Sequence, residues 1–141
     1  MFKKDARSTE FIALELTDSQ HLCCTGYIEG KAAYFLIDTG ASHSCFSKQK
    51  SEIYGIACSD EIIRASAANP TPMEAQKSAE VNLRLDSKHL KLSFMVMDFE
   101  PINQSLANFD APAVDGILGA DFLLQTQAII KYADLSLELQ F

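Results

Sequence analysis

The sequence predicts an all-β fold of about eight or nine short strands with one or two short helices. Three observations carry that expectation. Through most of the chain apolar residues recur at every second position, the spacing of a strand with one buried face. Turn-forming clusters, such as those at Gly30-Lys31 and Asp86-Ser87-Lys88, cut the chain into short segments. With 48% hydrophobic and 22% charged residues, the 141-residue chain has ordinary globular composition and enough apolar side chains for one core.

In chain order, residues 11–16 (Phe-Ile-Ala-Leu-Glu-Leu) read as the first strand. His21 to Glu29 reads as a second strand, Gly30-Lys31 as a tight turn, and Ala32 to Ile37 as an apolar, buried return strand. Asp38-Thr39-Gly40-Ala41-Ser42 breaks that strand with small residues. Ser47 is placed to cap two helical turns from Lys48 to Tyr54, with Gly55 as the residue that ends them. Ile56 to Arg64 is strand-like, and residues 65–72, with Pro70 and Pro72, form a loop tip. Glu80–Leu85 and Leu90–Met97 alternate around the turn at Asp86. Residues 98–113, with Pro101 and Pro112, read as the longest irregular stretch. Val114 to Gly119 is a short apolar run with two glycines, and Asp121 to Thr126 a short helix. Residues 128–132 and 135–141 finish as a hairpin turning at Ala133-Asp134, with Leu135, Leu137, Leu139 and Phe141 on one face. A polar segment, residues 1–9, thus precedes one domain over residues 10–141.

Charge and targeting signals exclude several function classes. Twelve basic against nineteen acidic side chains give a net charge of −7, so no basic face for nucleic acid is expected. The excess lies after residue 50, and Asp98 to Asp121 holds five carboxylates and no Lys or Arg. That stretch reads either as a solvated acidic surface or as a rim favouring basic substrates. No apolar run approaches the ~18 residues of a spanning helix, and the first ten residues lack the apolar core of a signal peptide. If residue 1 is the natural start, the expected location is cytoplasmic. The four cysteines, Cys23, Cys24, Cys45 and Cys58, form no CxxC. In a strand Cys23 and Cys24 point to opposite faces, so packed, reduced thiols are expected rather than a metal site, and no metal or other cofactor is implied.

The segment that carries chemistry begins at Phe35. Three apolar residues, Phe35-Leu36-Ile37, deliver the carboxylate of Asp38 out of a buried strand into a turn of small residues. A carboxylate there is costly to desolvate unless donors reach it. Thr39 and Gly40 leave room for backbone N–H groups to do so. Read alone, this is also the end of a strand in an Asx-type turn. The second piece lies 81 residues on, at Gly119 of Ile117-Leu118-Gly119, where glycine suits close backbone packing.

These two pieces, in this order and with a hairpin before and after the first, resemble the single-domain, retropepsin-like aspartic proteases of bacteria and retroelements. The resemblance covers residues 10–141 and implies an acid-protease fold, a closed, retropepsin-like β-barrel. It implies further that the chain is an aspartic endopeptidase acting as a homodimer on a peptide or protein substrate, one Asp-Thr-Gly from each copy meeting at the twofold axis. Asp38 would be the catalytic residue. Thr39 would bond across the dimer, Gly40 would offer its carbonyl to substrate backbone, and Ala41 and Ser42 would line the site. A substrate-binding flap would centre on Ala67, Ala68, Asn69 and Pro70, and Ile117, Leu118 and Gly119 would support the loop. The lack of glycine in that flap departs from the family pattern. It keeps open an alternative, a non-catalytic dimeric module that binds an extended peptide or partner protein; a monomer without activity is a third reading. The strand Leu135–Phe141 reads equally as part of a dimer sheet or as an ordinary amphipathic strand. Asp121 reads as the cap of the helix that follows or as a second carboxylate in cis, and Asp115 as a turn residue. His43 and Ser44 are adjacent without an oriented third member, which argues against serine-type catalysis.

Overall fold

The computed structural model describes residues 8–65 and 73–141. Within them the strands are β1 (Thr9–Ala13), β2 (Glu15–Leu16), β3 (Leu22–Ile28), β4 (Lys31–Ile37), β5 (Cys45–Ser47), β6 (Cys58–Ala65), β7 (Met73–Ser78), β8 (Val81–Leu85), β9 (Lys88–Leu92), β10 (Met95–Met97), β11 (Gly116–Leu118), β12 (Ile129–Lys131) and β13 (Ser136–Gln140). The helices are α1 (Lys48–Ser51), α2 (Glu100–Ala107) and α3 (Ala120–Gln125). The class is all-β. The segments 11–16 and 90–97 each divide in two, because their halves join different neighbours: β1 pairs with β13 and β2 with β3, while β9 pairs with β8 and β10 with β5 and β7. The turn after β3 lies one residue earlier than expected. Glu29 and Gly30 both have positive φ, 52° and 78°, the pair of left-handed residues that a two-residue hairpin requires.

The closed barrel expected from the sequence does not form. The large sheet runs as an open path β6-β7-β10-β5-β11-β4-β3-β8-β9, with β2 alongside β3. Its outermost strands, β6 and β9, do not pair with each other among the described residues. β13 cannot bridge them, since it is the middle strand of a separate sheet ordered β1-β13-β12.

Two apolar layers flank the large sheet. One joins it to the small sheet: Ile12, Leu137 and Leu139 pack into a cluster with Phe35, Phe46, Leu83, Phe94 and Leu118. The other lies on the opposite face, where Cys23, Leu36, Ala75, Met97 and Ile117 cluster with Phe99 and Leu106, the residues before and within α2. Cys23 and Cys24 therefore do face opposite ways, each fully buried, and all four cysteines are free thiols.

α2 corrects the reading of residues 98–113 as irregular. Pro101 sits in its first turn, where a missing N–H costs nothing. The Asp98 carboxylate accepts the Glu100 N–H at 2.9 Å. Ile102 and Leu106, four apart, share the face that packs inward. α1 is shorter than the expected two turns, and the Ser47 hydroxyl donates to Gln49 Oε1 (3.1 Å) rather than capping it. Gly55 ends the following turns at φ 68°.

Among the described residues no helix is long and apolar enough to cross a membrane, and no three His, Cys, Asp or Glu side chains group as a metal site.

Candidate active site

The site is built by a strand threaded between two others. β11 runs parallel to β4, with Leu36 opposite Ile117 and Ile37 opposite Leu118. On its other side it runs antiparallel to β5, with Cys45 opposite Ile117. β4 and β5 are the two arms of the loop from Asp38 to Ser44, so Gly116–Leu118 occupies the gap beneath that loop. The Asp38 N–H donates to Leu118 O at 3.0 Å, which continues the β4–β11 ladder one residue into the loop.

Close threading explains both glycines. A Cβ on Gly116 would lie 2.7 Å from the Phe35 ring and 2.9 Å from Cys45 O. On Gly119 it would lie 2.6 Å from Ala41 O and 3.0 Å from His43 O. Any side chain at 119 therefore drives into the backbone of the Asp38 loop.

The Asp38 side chain is half-buried and its neighbours Thr39 and Gly40 are exposed. The Gly40 N–H donates to Asp38 Oδ1 at 2.9 Å, its one hydrogen-bond partner among the described side chains and backbone. A Cβ on Gly40 would stand 3.2 Å from that oxygen. The Ala41 N–H closes the turn onto Asp38 O (3.2 Å). Ala41 O then accepts the Ala120 N–H at 2.7 Å, and Ser42 O the Asp121 N–H at 3.3 Å. The loop is thus tied to the start of α3 through backbone alone at two points.

A third tie runs through side chains and was not read from the sequence. Ser44, fully buried, donates its hydroxyl to Asp121 Oδ1 at 2.6 Å and accepts the Gly119 N–H at 2.9 Å. Its own N–H reaches both Asp121 oxygens at 3.0 Å. The same carboxylate takes the Phe122 N–H at 2.7 Å. Asp121 does serve one N–H of the first helical turn, yet most of its bonds hold Ser44. With its oxygens so engaged, it is a strut, not a second reacting carboxylate. Ser44 makes no bond to His43 of the serine–histidine kind.

Asp115 is not merely a turn residue. It accepts the Tyr34 N–H at 2.9 Å and pairs with Lys50 Nζ at 3.2 Å, bracing β4 against α1. Cys45, beside the loop, is held as a neutral thiol. Burial pushes it up to about 11, and the charges of Asp121 and Asp38 add to the shift. It is no nucleophile at neutral pH.

Of the residues singled out from the sequence, Asp38, Thr39, Gly40, Ala41, Ser42, Ile117, Leu118 and Gly119 come together here. Ala67, Ala68, Asn69 and Pro70 lie outside the described residues. The strands on either side of them, β6 and β7, pair as a hairpin with Ala65 opposite Met73.

A sequence model of the aspartyl protease family matches residues 24–122, which include both the Asp-Thr-Gly loop and the glycine strand. A retropepsin-like aspartic protease from Rickettsia conorii is similar in structure, with a TM-score of 0.62 at 18% identity, covering 100% of this chain and 97% of the other. The retroviral protease-like domain of Ddi1 from Leishmania major is also similar, with a TM-score of 0.58 at 19% identity over 80% and 82% of the two chains. The fold is retropepsin-like. No curated protein sequence matches the chain.

Proposed function

Because this chain belongs to the aspartyl protease family, we propose that it is an aspartic endopeptidase in which two copies each contribute Asp38 to one site. The observation that carries this reading is the state of the Asp38 carboxylate. It sits at the start of a loop tied to α3 by backbone and side-chain bonds, with one hydrogen bond from Gly40 and a solvent-exposed Thr39–Gly40 edge beside it. Asp121, by contrast, is fully engaged in structure.

The need for a second copy follows from the chemistry. Hydrolysis of a peptide bond needs a base to activate water and an acid to protonate the product side. One isolated carboxylate cannot be both at once. Two carboxylates about 3 Å apart, at an effective dielectric near ~20, repel by roughly 5 kcal/mol. At ~1.4 kcal/mol per pK unit that is several units, so the pair keeps one proton between them. One member is then base and the other acid, the pattern of aspartic proteases. Their titrations belong to the pair. These 141 residues hold one Asp-Thr-Gly, and in this reading the partner carboxylate is the Asp38 of a second copy.

In this reading Thr39 bonds between the two loops and the Gly40 carbonyl receives the substrate backbone. Ala41 and Ser42 line the cleft, the segment Ala67–Pro70 closes over an extended peptide, and Ile117, Leu118 and Gly119 hold the loop from below. The test compares cleavage of an unstructured protein by the wild type and by Asp38→Asn between about pH 4 and 7. The variant is expected to lose all cleavage while its circular dichroism stays unchanged. Equal cleavage by both proteins sinks the reading. Peptide binding by the wild type without cleavage favours a binding module instead.

A further inference from the structure

We propose that the outer face of β3, β8 and β9 is a docking site for an extended peptide segment rich in carboxylates, with Arg84, set against Tyr27, as its anchor. The site lies apart from the Asp38 loop and is independent of whether Asp38 cleaves. Tyr27 registers with Ala32 near the β3–β4 turn, whereas Leu22 registers with Ile37 beside Asp38. At about 3.3 Å per residue these two rows stand roughly 16 Å apart along β3.

The first support is a local reversal of charge. Residues 81–92 hold Arg84, Lys88, Lys91 and His89 against one acid, Asp86, in a chain of net charge −7. Alternation sorts their side chains. Leu83, Leu85, Leu90 and Leu92 go into the core, and Asn82, Arg84, His89 and Lys91 take the opposite face. An acidic segment is drawn to such a patch and repelled by the acidic surface elsewhere.

The second support is how these groups are set. Tyr27 registers with Arg84 and Arg84 with His89, one row across three strands. With Glu29, Gly30 and Asn82 they line a cavity of about 250 Å³. Arg84 Cζ lies 4.2 Å from the centre of the Tyr27 ring, and its Nη1 donates to Asp86 O at 2.7 Å. A ring and a backbone oxygen thus orient the half-buried guanidinium, and no carboxylate pairs with it among the described residues. His89 Nδ1 lies 3.1 Å from Asn82 Oδ1, which leaves Nε2 without a partner among the described residues. A fork held in place with N–H groups to spare matches the two oxygens of a carboxylate. Lysines alone suffice to guard an edge strand; an arginine stacked on a tyrosine in a cavity goes beyond that need, and both are residue types that anchor interfaces.

The third support is the shape of the site, which suits a chain rather than a small ion. Gly30 has no atom within 4 Å of where a Cβ would stand, so the wall toward the β3–β4 turn is open. Lys91, opposite Asn82, follows His89 on the same face of β9. Those two stand about 7 Å apart, the spacing of alternate side chains in an extended peptide. Lys91 therefore offers a second cation to a second carboxylate of the same segment. Glu29 is the one carboxylate on the cavity wall, and it is exposed. It opposes an incoming anion and keeps the site weak.

Titration of the isotope-labelled full chain, followed by its amide NMR signals, tests this. The probes are a capped Gly-Glu-Glu-Glu-Gly peptide, its glutamine counterpart and inorganic phosphate. The glutamate peptide is expected to shift the signals of Tyr27, Asn82, Arg84 and His89 with a dissociation constant of roughly 0.1–1 mM at low salt. The glutamine peptide is expected to leave them unmoved. Arg84→Gln is expected to weaken binding about ten-fold, and Arg84→Lys, which keeps the charge and loses the fork, by several-fold. Glu29→Gln is expected to tighten it, and Lys131→Gln, on the other sheet, to leave it unchanged. Equal affinity in the wild type and a folded Arg84→Gln, or shifts confined to another surface, overturns the proposal. Phosphate bound as tightly as the peptide marks a small-ion site and overturns it as well. Should Arg84→Gln fail to fold, the other two variants decide: affinity unchanged in both Arg84→Lys and Glu29→Gln overturns the proposal.

Discussion

Ser44 and Asp121, 77 positions apart, are the side chains that tie the Asp38 loop to α3. Ser44→Ala removes the hydroxyl that joins Gly119 N–H to Asp121 Oδ1. It leaves a buried N–H unpaired and is expected to lower unfolding stability by about 1–3 kcal/mol in urea titrations. Gly119→Ala places a methyl 2.6 Å from Ala41 O. It is expected to cost a further ~1–3 kcal/mol and to reduce cleavage by more than the stability loss explains, because the displaced atoms belong to the loop itself. Asp38 and Gly119 were legible in the sequence. A carboxylate ending an apolar strand, and a glycine in an apolar run, are local signals. Ser44 and Asp121 were not, since each is locally ordinary and only the tertiary fold puts them together. The same holds for Asp115, whose partners Tyr34 and Lys50 lie far away in the chain. Two thiols, Cys45 beside the Asp38 loop and Cys24 in the core between the sheets, give a pH prediction. Cys45 is pushed up to about 11 and the fully buried Cys24 to about 12, from an ordinary 9.0. The folded chain holds these protons more tightly than the unfolded one. Their contribution to stability is whole below about pH 9 and is lost progressively as pH rises through about 11 to 12. Urea midpoints compared at pH 8 and 10.5 are expected to fall, and less so in Cys45→Ala.

At the scale of elements, α2 is the main departure from expectation. Its prolines and polar residues read as a loop, but Pro101 belongs in a first turn and the apolar pair Ile102 and Leu106 is too sparse to register as a repeat. What makes the helix is a surface to pack on, namely Leu36 and Ile117 on the strands that bear the site. Leu106→Ala is expected to destabilise the fold by about 2–4 kcal/mol, measured by thermal or urea unfolding, and to loosen the face next to Asp38. Strand types and most strand positions were legible because alternation reports one buried face. Strand partners were not. Whether 11–16 is one strand or two depends on Leu14, whose N–H turns to Leu135 O at 2.8 Å and carries the chain from one sheet to the other. The closed barrel failed as an expectation for the same reason: closure depends on which edges meet, and β13 meets β1 and β12.

For the molecule as a whole, the proposed reading makes the one Asp-Thr-Gly among these 141 residues one half of a site. β13, paired with β1 on one side and β12 on the other, is the middle strand of the small sheet. The central claim is that cleavage needs one Asp38 from each of two chains. Mixing wild type with an equal amount of Asp38→Asn at fixed total concentration, after time for exchange, tests it most directly. If the site is shared and both carboxylates are needed, only pairs of two wild-type chains cut, and the rate falls to about a quarter. A fall to about half, in proportion to the wild-type chains present, means that each chain acts alone and contradicts the account.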